Sequence, residues 1–175
     1  MAVLTKDGLI TIKAIDEYSD EFHTIGWNNE NFDVNFIFGI SNGRDLALLI
    51  VAHEFFHIGT CQRHIKAICM AFPSDIAVID IKSVNDNPSV LSFFSSVAIH
   101  YTVASFQRLS YAFKVRLACH QAPKMIFLQD EYRLINQITQ VVEEVGITAI
   151  FTTQNDDVTK AIYRTPYIKL NVLIQ

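Results

Sequence analysis

The sequence predicts an α/β fold, in which a mainly parallel sheet of about six strands lies between two layers of helices. Three observations predict it. From residue 46 onward, short apolar runs alternate with amphipathic stretches, and the links between them are short. The first run, residues 46–52, is apolar throughout, which is typical of a strand buried on both faces. The chain of 175 residues has the length of one ordinary domain.

The apolar runs are the expected strands, and the amphipathic patterns between them are the expected helices. Strands are predicted at residues 46–52, 76–79, 97–101, 124–128, 147–152 and 168–173. Helices are predicted at residues 61–72, 106–117, 130–145 and 155–163, with a loop around residues 85–88. The third helix has the clearest signals, because Asp130 stands at its N-cap position and Gly146 follows its last turn.

The first 45 residues fit this alternation less well and are predicted to form a short β-rich N-terminal extension or a linker. Residues 9–15 alternate like a half-exposed strand, and residues 32–40 could form another. The predicted division is therefore an extension at residues 1–45 and an α/β domain at residues 46–175.

The composition excludes several classes of protein. Half of the residues are hydrophobic and 18% are charged, which excludes intrinsic disorder. The net charge of −4, without a cluster of Lys and Arg, argues against nucleic-acid binding. No apolar run approaches the roughly 20 residues of a membrane span, and no secretory signal is visible, so we expect a cytoplasmic protein. The apolar surplus fits a sheet covered on both faces, or an apolar face for a partner domain or a homo-oligomer.

Ionisable and hydroxyl side chains follow the predicted strands at the edge where open α/β sheets bind ligands, beyond the carboxyl ends of the strands. They are His53, Glu54 and Thr60 after the first strand, His100 and Tyr101 after the third, and Asp130, Glu131 and Arg133 after the fourth. An ordinary structural role is open for several of them. Asp130 can cap its helix, Glu131 fits the first turn, and His100 can be a core histidine with satisfied hydrogen bonds.

Residues 53–57 match HExxH, the zinc motif of metallopeptidases. Two histidines four residues apart can share a metal on a helix, but about 13 Å separates them on a strand. A helix over residues 46–58 is consistent with Asp45 and Gly59 as its caps, although the apolar run also fits a strand. No Glu that could serve as a third ligand lies between Glu54 and Glu131. A zinc peptidase that uses His53, Glu54 and His57 is kept as an alternative.

Two stretches resemble the N-terminal domain of bacterial GT-B-type glycosyltransferases, in particular the spore-maturation-like glycosyltransferase group. They are residues 124–133, KMIFLQDEYR, and residues 147–153, ITAIFTT, and the pair His100 and Tyr101 precedes them. The first strand, loop and helix, with residues 49–60 reading LIVAHEFFHIGT, is also similar to that group. The resemblance covers residues 46–173. It implies a Rossmann-like fold and, in the whole enzyme, two such domains, of which the N-terminal one mostly holds the acceptor.

The resemblance implies that this chain is the acceptor-side domain of an enzyme that transfers a sugar from a nucleotide-sugar. We expect it to be inactive without a C-terminal domain that holds the donor. The candidate catalytic groups are His100, Glu54 and Asp130, and the candidate acceptor contacts are His53, Thr60, Tyr101, Glu131 and Arg133. Neither GxGxxG nor GxxxxGK[ST] occurs, which argues against a classical dinucleotide or Walker-type site. We expect no cofactor and no metal. A non-catalytic α/β module that binds a partner through an apolar face is the alternative from another class.

Overall fold

The computed structural model describes residues 2–5, 8–11, 24–26, 46–55, 58–72, 75–103, 108–129, 134–163 and 167–169. Within these ranges, nine strands form one sheet. They are β1 (Ala2–Thr5), β2 (Gly8–Thr11), β3 (Thr24–Gly26), β4 (Leu46–Val51), β5 (Asp75–Asp80), β6 (Ser96–Ile99), β7 (Lys124–Phe127), β8 (Ala149–Thr152) and β9 (Tyr167–Lys169). Their order across the sheet is β3-β2-β1-β5-β4-β6-β7-β8-β9.

The centre of the sheet consists of five strands, β5-β4-β6-β7-β8, that all run parallel. β4 pairs with β5 along one edge and with β6 along the other. The predicted α/β class with a parallel sheet is confirmed. On one side of this centre, β9 continues parallel to β8. On the other side, β1 runs parallel to β5, while β2 and β3 continue from it in antiparallel pairs.

Five α-helices and three 3₁₀ segments lie among the described residues. The helices are α1 (Gly59–Ala71), α2 (Ile81–Asp86), α3 (Tyr111–Cys119), α4 (Ile135–Val145) and α5 (Asp156–Ile162). The 3₁₀ segments are His53–Phe55, Pro88–Phe93 and Tyr101–Val103. None of the described helices combines the length and the hydropathy that a membrane crossing requires.

The helices divide unequally between the two faces of the sheet, and the strand order explains the division. The chain steps from β4 to β5 in one direction, then steps the opposite way from β5 to β6, β7, β8 and β9. Because crossovers between parallel strands are right-handed, the direction of a step sets the face on which its helix lies. The two apolar cores agree with this rule. Ile65 and Ile68 of α1 pack in one core, while Val84, Phe113 and Val142 of α2, α3 and α4 pack in the other.

β4 is buried on both faces, as its uninterrupted apolar sequence predicts. Leu48 and Ile50 point into the core formed with α2, α3 and α4, whereas Leu49 and Val51 point into the core formed with α1. All four side chains are fully buried. Burying a side chain of this size stabilises a fold by about 1.5–3 kcal/mol. β4 therefore holds both helical layers to the sheet.

The segment after β5 differs from its prediction as a loop, because residues 81–86 form α2. The helix begins after Asp80, whose carboxylate accepts a hydrogen bond from the Lys82 amide at 3.2 Å. Ile81 and Val84 are buried against the sheet. A helix of this length is too short to show a helical period in sequence, so packing and a cap decide its formation.

Two helix starts also lie later than predicted. α3 begins at Tyr111, where the Ser110 hydroxyl accepts from the Phe113 amide at 3.1 Å. α4 begins at Ile135 with Leu134 at the N-cap position, later than predicted. The predicted N-cap, Asp130, lies outside the described residues. The apolar stripe that packs on the core starts only at Leu134, and a helix is held mainly by its buried stripe.

The end of α4 is as predicted. Gly146 follows the helix with φ 69° and ψ 53°, the left-handed conformation, and its amide bonds back to the last turn. A Cβ at this position would lie 3.8 Å from the nearest side-chain atom, Lys124 Nζ, which is ordinary contact. The requirement for glycine is therefore one of backbone conformation and not of space.

We predict that Gly146→Ala lowers the free energy of unfolding by about 1–2 kcal/mol, because an L-residue is strained in the left-handed conformation. Urea unfolding followed by circular dichroism measures the change. The matched control is Gly59→Ala in the first turn of α1, where a Cβ would lie 3.7 Å from Arg63 Nη1. Gly59 has no positive φ, so its variant should be neutral or slightly stabilised. Equal losses in the two variants would contradict the explanation.

Candidate functional site

The strand order places a crevice between the carboxyl ends of β4 and β6. From β4 the chain continues through α1 to β5, and from β6 it continues through α3 to β7. In the sheet, β5 and β7 lie on opposite sides of the β4–β6 pair. Two neighbouring strands whose connections leave in opposite directions form the switch point at which open α/β sheets bind ligands. The 3₁₀ segments His53–Phe55 and Tyr101–Val103 lie at this point, one after each strand.

A chain of hydrogen bonds crosses this switch point. The buried amide of Ala52 donates to Thr102 Oγ1 at 3.1 Å. Thr102 Oγ1 lies 2.9 Å from His100 Nδ1, and the Thr102 amide donates to the same nitrogen at 3.3 Å. His100 Nε2 lies 2.9 Å from Nδ1 of His64, in α1. We call the Ala52 amide, Thr102, His100 and His64 the histidine relay.

Burial favours the neutral form of both imidazoles of the relay. His100 is fully buried, and burial, with a smaller contribution from the nearby His64, lowers its pKa to about 3. Partial burial also lowers the pKa of His64 below its usual value. A neutral imidazole carries one N–H donor and one acceptor nitrogen, so the two rings can bond to each other without repulsion between charges.

Aromatic side chains surround the relay. The Tyr101 ring lies 4.1 Å from that of His100 and 5.3 Å from that of His64, between centroids, and its hydroxyl donates to Cys61 Sγ at 3.1 Å. The rings of Phe127 and His64 are nearly perpendicular, with their centroids 5.8 Å apart. Phe127 and Phe151 stack on each other at 4.6 Å, at the ends of β7 and β8. An apolar, aromatic wall with few polar groups is typical of small-molecule sites.

Glu54 lies at the outer side of the same switch point and forms an ion pair with Arg108. The Arg108 guanidinium also lies over the Phe55 ring, with Cζ 5.1 Å from its centroid. Glu54 belongs to the turn after β4 and Arg108 to the segment before α3, so the pair links the two sides of the crevice. Both side chains are partly exposed, and such a pair contributes at most about 1 kcal/mol to stability. Its main effect is to fix the positions of the two charged groups.

Asn85 of α2 positions the segment that carries Arg108. Its Nδ2 donates to the Arg108 carbonyl at 2.6 Å, and its Oδ1 accepts from the Ser110 amide at 2.8 Å. One side-chain amide therefore satisfies two backbone groups just before α3. The sequence places Asn85 in a loop and does not indicate this role, because its partners are 23 and 25 residues away.

The structure brings some of the sequence-predicted residues together and leaves others outside its description. His100 and Tyr101 meet at the relay, and Glu54 meets Arg108. The backbone of His53 opens the 3₁₀ segment, and Thr60 is exposed in the first turn of α1. Asp130, Glu131 and Arg133 lie outside the described residues. The roles assigned to all of these side chains stay predictions.

Three residues of the site were not among the candidates, namely His64, Thr102 and Arg108. One signal could have found His64. It stands three residues after Cys61 and four before Ile68, on the helical face whose other members are buried. A histidine on the buried face of a helix needs a polar partner there. Thr102 and Arg108 have no comparable signal, since their partners are distant in the sequence.

The backbone of the HExxH segment is not one α-helix. Residues 46–51 are strand β4, so the helix over residues 46–58 is wrong, and His53 stands in a 3₁₀ segment. His57 lies outside the described residues. Among the residues that are described, no group of three His, Cys, Asp or Glu side chains is placed to hold a metal ion.

No protein-family model matches this chain, and no curated protein and no solved structure matches it.

We predict that the free energy of unfolding falls by about 2 kcal/mol between about pH 7 and about pH 5. The folded-state pKa of His100 is about 3, against 6.5 for an exposed histidine. Below the pKa of the unfolded state, the unfolded chain binds a proton that the native state does not bind. The free energy of unfolding therefore falls by up to about 1.4 kcal/mol per pH unit. His64 acts in the same direction. Urea unfolding at each pH measures the slope.

His100→Gln removes the His100 contribution and should flatten this slope. Leu117→Ala is the control. Leu117 is buried in the core formed with α2, α3 and α4, so its truncation destabilises the fold while both relay histidines remain. It should keep the wild-type slope. An unchanged slope in His100→Gln would show that His100 does not resist protonation in the folded state.

We predict that Asn85→Ala lowers the free energy of unfolding by about 2 kcal/mol, because the Arg108 carbonyl and the Ser110 amide both lose their partner. Asn87→Ala is the matched control. Asn87 is exposed and its side chain makes no capping bond, so its loss should change the free energy by less than about 0.5 kcal/mol. Thermal or urea unfolding compares the two. A smaller loss for Asn85 than for Asn87 would refute the positioning role.

Proposed function

We propose that this chain is the acceptor-side domain of a GT-B-type glycosyltransferase, which acts with a second domain that holds a nucleotide-sugar donor. In this proposal residues 46–175 form a Rossmann-like half with a sheet of about six strands, and residues 1–45 form a β-rich extension. The observation that carries it is the histidine relay at the switch point of β4 and β6, next to an aromatic wall. The likeness of residues 124–133 and 147–153 to that family adds to it.

The combination of rings and polar groups suits a sugar. The faces of aromatic rings carry partial negative charge, and the C–H groups of a pyranose carry partial positive charge, so a sugar ring packs on an aromatic wall. Tyr101 and Phe151, which are partly exposed, supply such rings, whereas Phe127 is buried in the core. The hydroxyl groups of a sugar need a few fixed hydrogen-bonding partners beside that wall, and the relay stands there.

The reaction also needs a base, because the acceptor hydroxyl loses its proton as its oxygen attacks the anomeric carbon of the donor. A carboxylate within hydrogen-bond distance of that hydroxyl can take the proton. Glu54 is the candidate among the described residues, and its pairing with Arg108 holds it at the edge of the crevice. Asp130 is the second candidate. In this proposal His53, Thr60, Glu131 and Arg133 contact the acceptor.

The proposal predicts that a saccharide binds at the relay while the nucleotide does not. The measurement is the ¹H–¹⁵N correlation spectrum of the labelled chain during titration with a panel of neutral and acidic monosaccharides and disaccharides. A parallel titration uses uridine diphosphate. At least one saccharide should shift the amide signals of His64, Tyr101 and Thr102, and uridine diphosphate should leave them in place.

Two tyrosine variants control this titration. Tyr101→Ala should abolish the saccharide shifts, because it removes a ring of the wall. Tyr111→Ala should retain them, since Tyr111 is 80% exposed at the start of α3. The proposal fails if no saccharide of the panel shifts the site, or if uridine diphosphate alone does so.

A further inference from the structure

The hydrogen bonds of the relay have a direction. The Ala52 amide can only donate, so Thr102 Oγ1 accepts from it and keeps its own proton for another partner. The Thr102 amide also can only donate, and it points at His100 Nδ1. A protonated Nδ1 would face this N–H with a second hydrogen. His100 Nδ1 is therefore the unprotonated acceptor, and it receives the amide and the Thr102 hydroxyl together.

This assignment also fixes which ring donates in the hydrogen bond between His100 and His64. Since a neutral His100 has no proton on Nδ1, its proton is on Nε2, and this N–H donates to His64 Nδ1 at 2.9 Å. His64 Nδ1 is then an acceptor without a proton. A neutral His64 consequently carries its proton on Nε2. The backbone amides of residues 52 and 102 thus set the tautomer of a ring in another element, α1.

His64 Nε2 keeps some exposed surface. Within the described part of the chain, no hydrogen bond is formed by this nitrogen. In the same residues no buried side-chain nitrogen or oxygen lacks a partner. Nε2 is therefore not buried, and His64 as a whole is half-buried. His100, in contrast, is fully buried and has both ring nitrogens bonded.

We infer that His64 is the ligand-binding residue of the relay and presents Nε2–H as a fixed hydrogen-bond donor, while His100 and Thr102 are positioning residues. This inference deepens the proposed function and rests on it for the identity of the ligand. The donor selects a ligand oxygen that accepts, such as a ring, hydroxyl or glycosidic oxygen of the sugar. Because Nε2 already carries its proton, His64 does not take the proton of the acceptor hydroxyl. That step is left to a carboxylate.

The positioning part is tested on the unliganded chain by long-range ¹H–¹⁵N spectra of the histidine rings near pH 7. Both His64 and His100 should be neutral with the proton on Nε2. A coupling across the hydrogen bond should join His100 Nε2 to His64 Nδ1. The inference is overturned if either ring carries its proton on Nδ1, or if His64 is an imidazolium.

Two variants of Thr102 separate positioning from general packing. Thr102→Ser keeps the hydroxyl and should keep both ring tautomers. Thr102→Val removes the hydroxyl and leaves the residue-102 amide as the remaining donor to His100 Nδ1. The preference for one tautomer then weakens, and the His64 ring should show a mixture of tautomers. An unaltered tautomer in the folded valine variant contradicts the role of the hydroxyl. If that variant does not fold, the wild-type and serine spectra still decide the inference.

The binding part is tested with the saccharide panel. His64→Leu should raise the Kd of a saccharide that shifts the site by tenfold or more, and His120→Leu should leave it unchanged, because His120 bonds to the Phe94 carbonyl away from the relay. Equal affinities of wild type and His64→Leu contradict ligand binding by His64. If no saccharide binds but the wild-type tautomers are as expected, the proposed function fails and the positioning of His64 stands.

Discussion

Ala52 directly follows strand β4 and is buried, with 1% of the residue exposed. Its amide therefore needs a hydrogen-bond acceptor inside the protein. Because β4 is covered on both faces, water cannot supply that acceptor. Thr102 does, and its hydroxyl is then directed to His100 and through it to His64. The geometry of the candidate site thus follows from one requirement, that a buried backbone donor at the end of a central strand be satisfied.

The same requirement ties β6 to β4. The His100 amide donates to the Ile50 carbonyl at 2.9 Å, which extends the ladder by one residue beyond the last paired residue of β6. His100 is consequently held at a depth where its ring is fully buried, and a charged ring would lose its hydration. The low pKa of His100 and the fixed direction of the relay are two results of that depth.

The site separates neutral from charged groups. The imidazoles lie inward among Tyr101 and Phe127 and are uncharged, whereas the Glu54–Arg108 pair lies outward and is partly exposed. Such an arrangement suits the binding of a neutral, polyhydroxylated ring, which needs directed donors in an apolar setting and a carboxylate nearby for proton transfer. The proposed role as the acceptor side of a glycosyltransferase draws on this separation.

The sequence by itself determined the class of the fold and several element ends. Continuous apolar runs predicted the central parallel strands, because a strand buried on both faces has no polar side. Gly146 and Asn155 marked the end of α4 and the start of α5, because a left-handed backbone and an N-cap are local requirements. The candidate edge of the sheet, with His100, Tyr101 and Glu54, followed from the rule for carboxyl ends.

Only the tertiary structure decided which strands are neighbours, and with that the content of the site. The pairing of β4 with β6 brings Ala52 to Thr102, 50 residues apart, and α1 brings His64 to His100, 36 residues apart. No local pattern encodes contacts over such distances, because they depend on the order of the strands and on the face to which each helix is directed. For the same reason α2 and its Asn85 were predicted as a loop, since burial and a cap, and not periodicity, hold a helix of one or two turns.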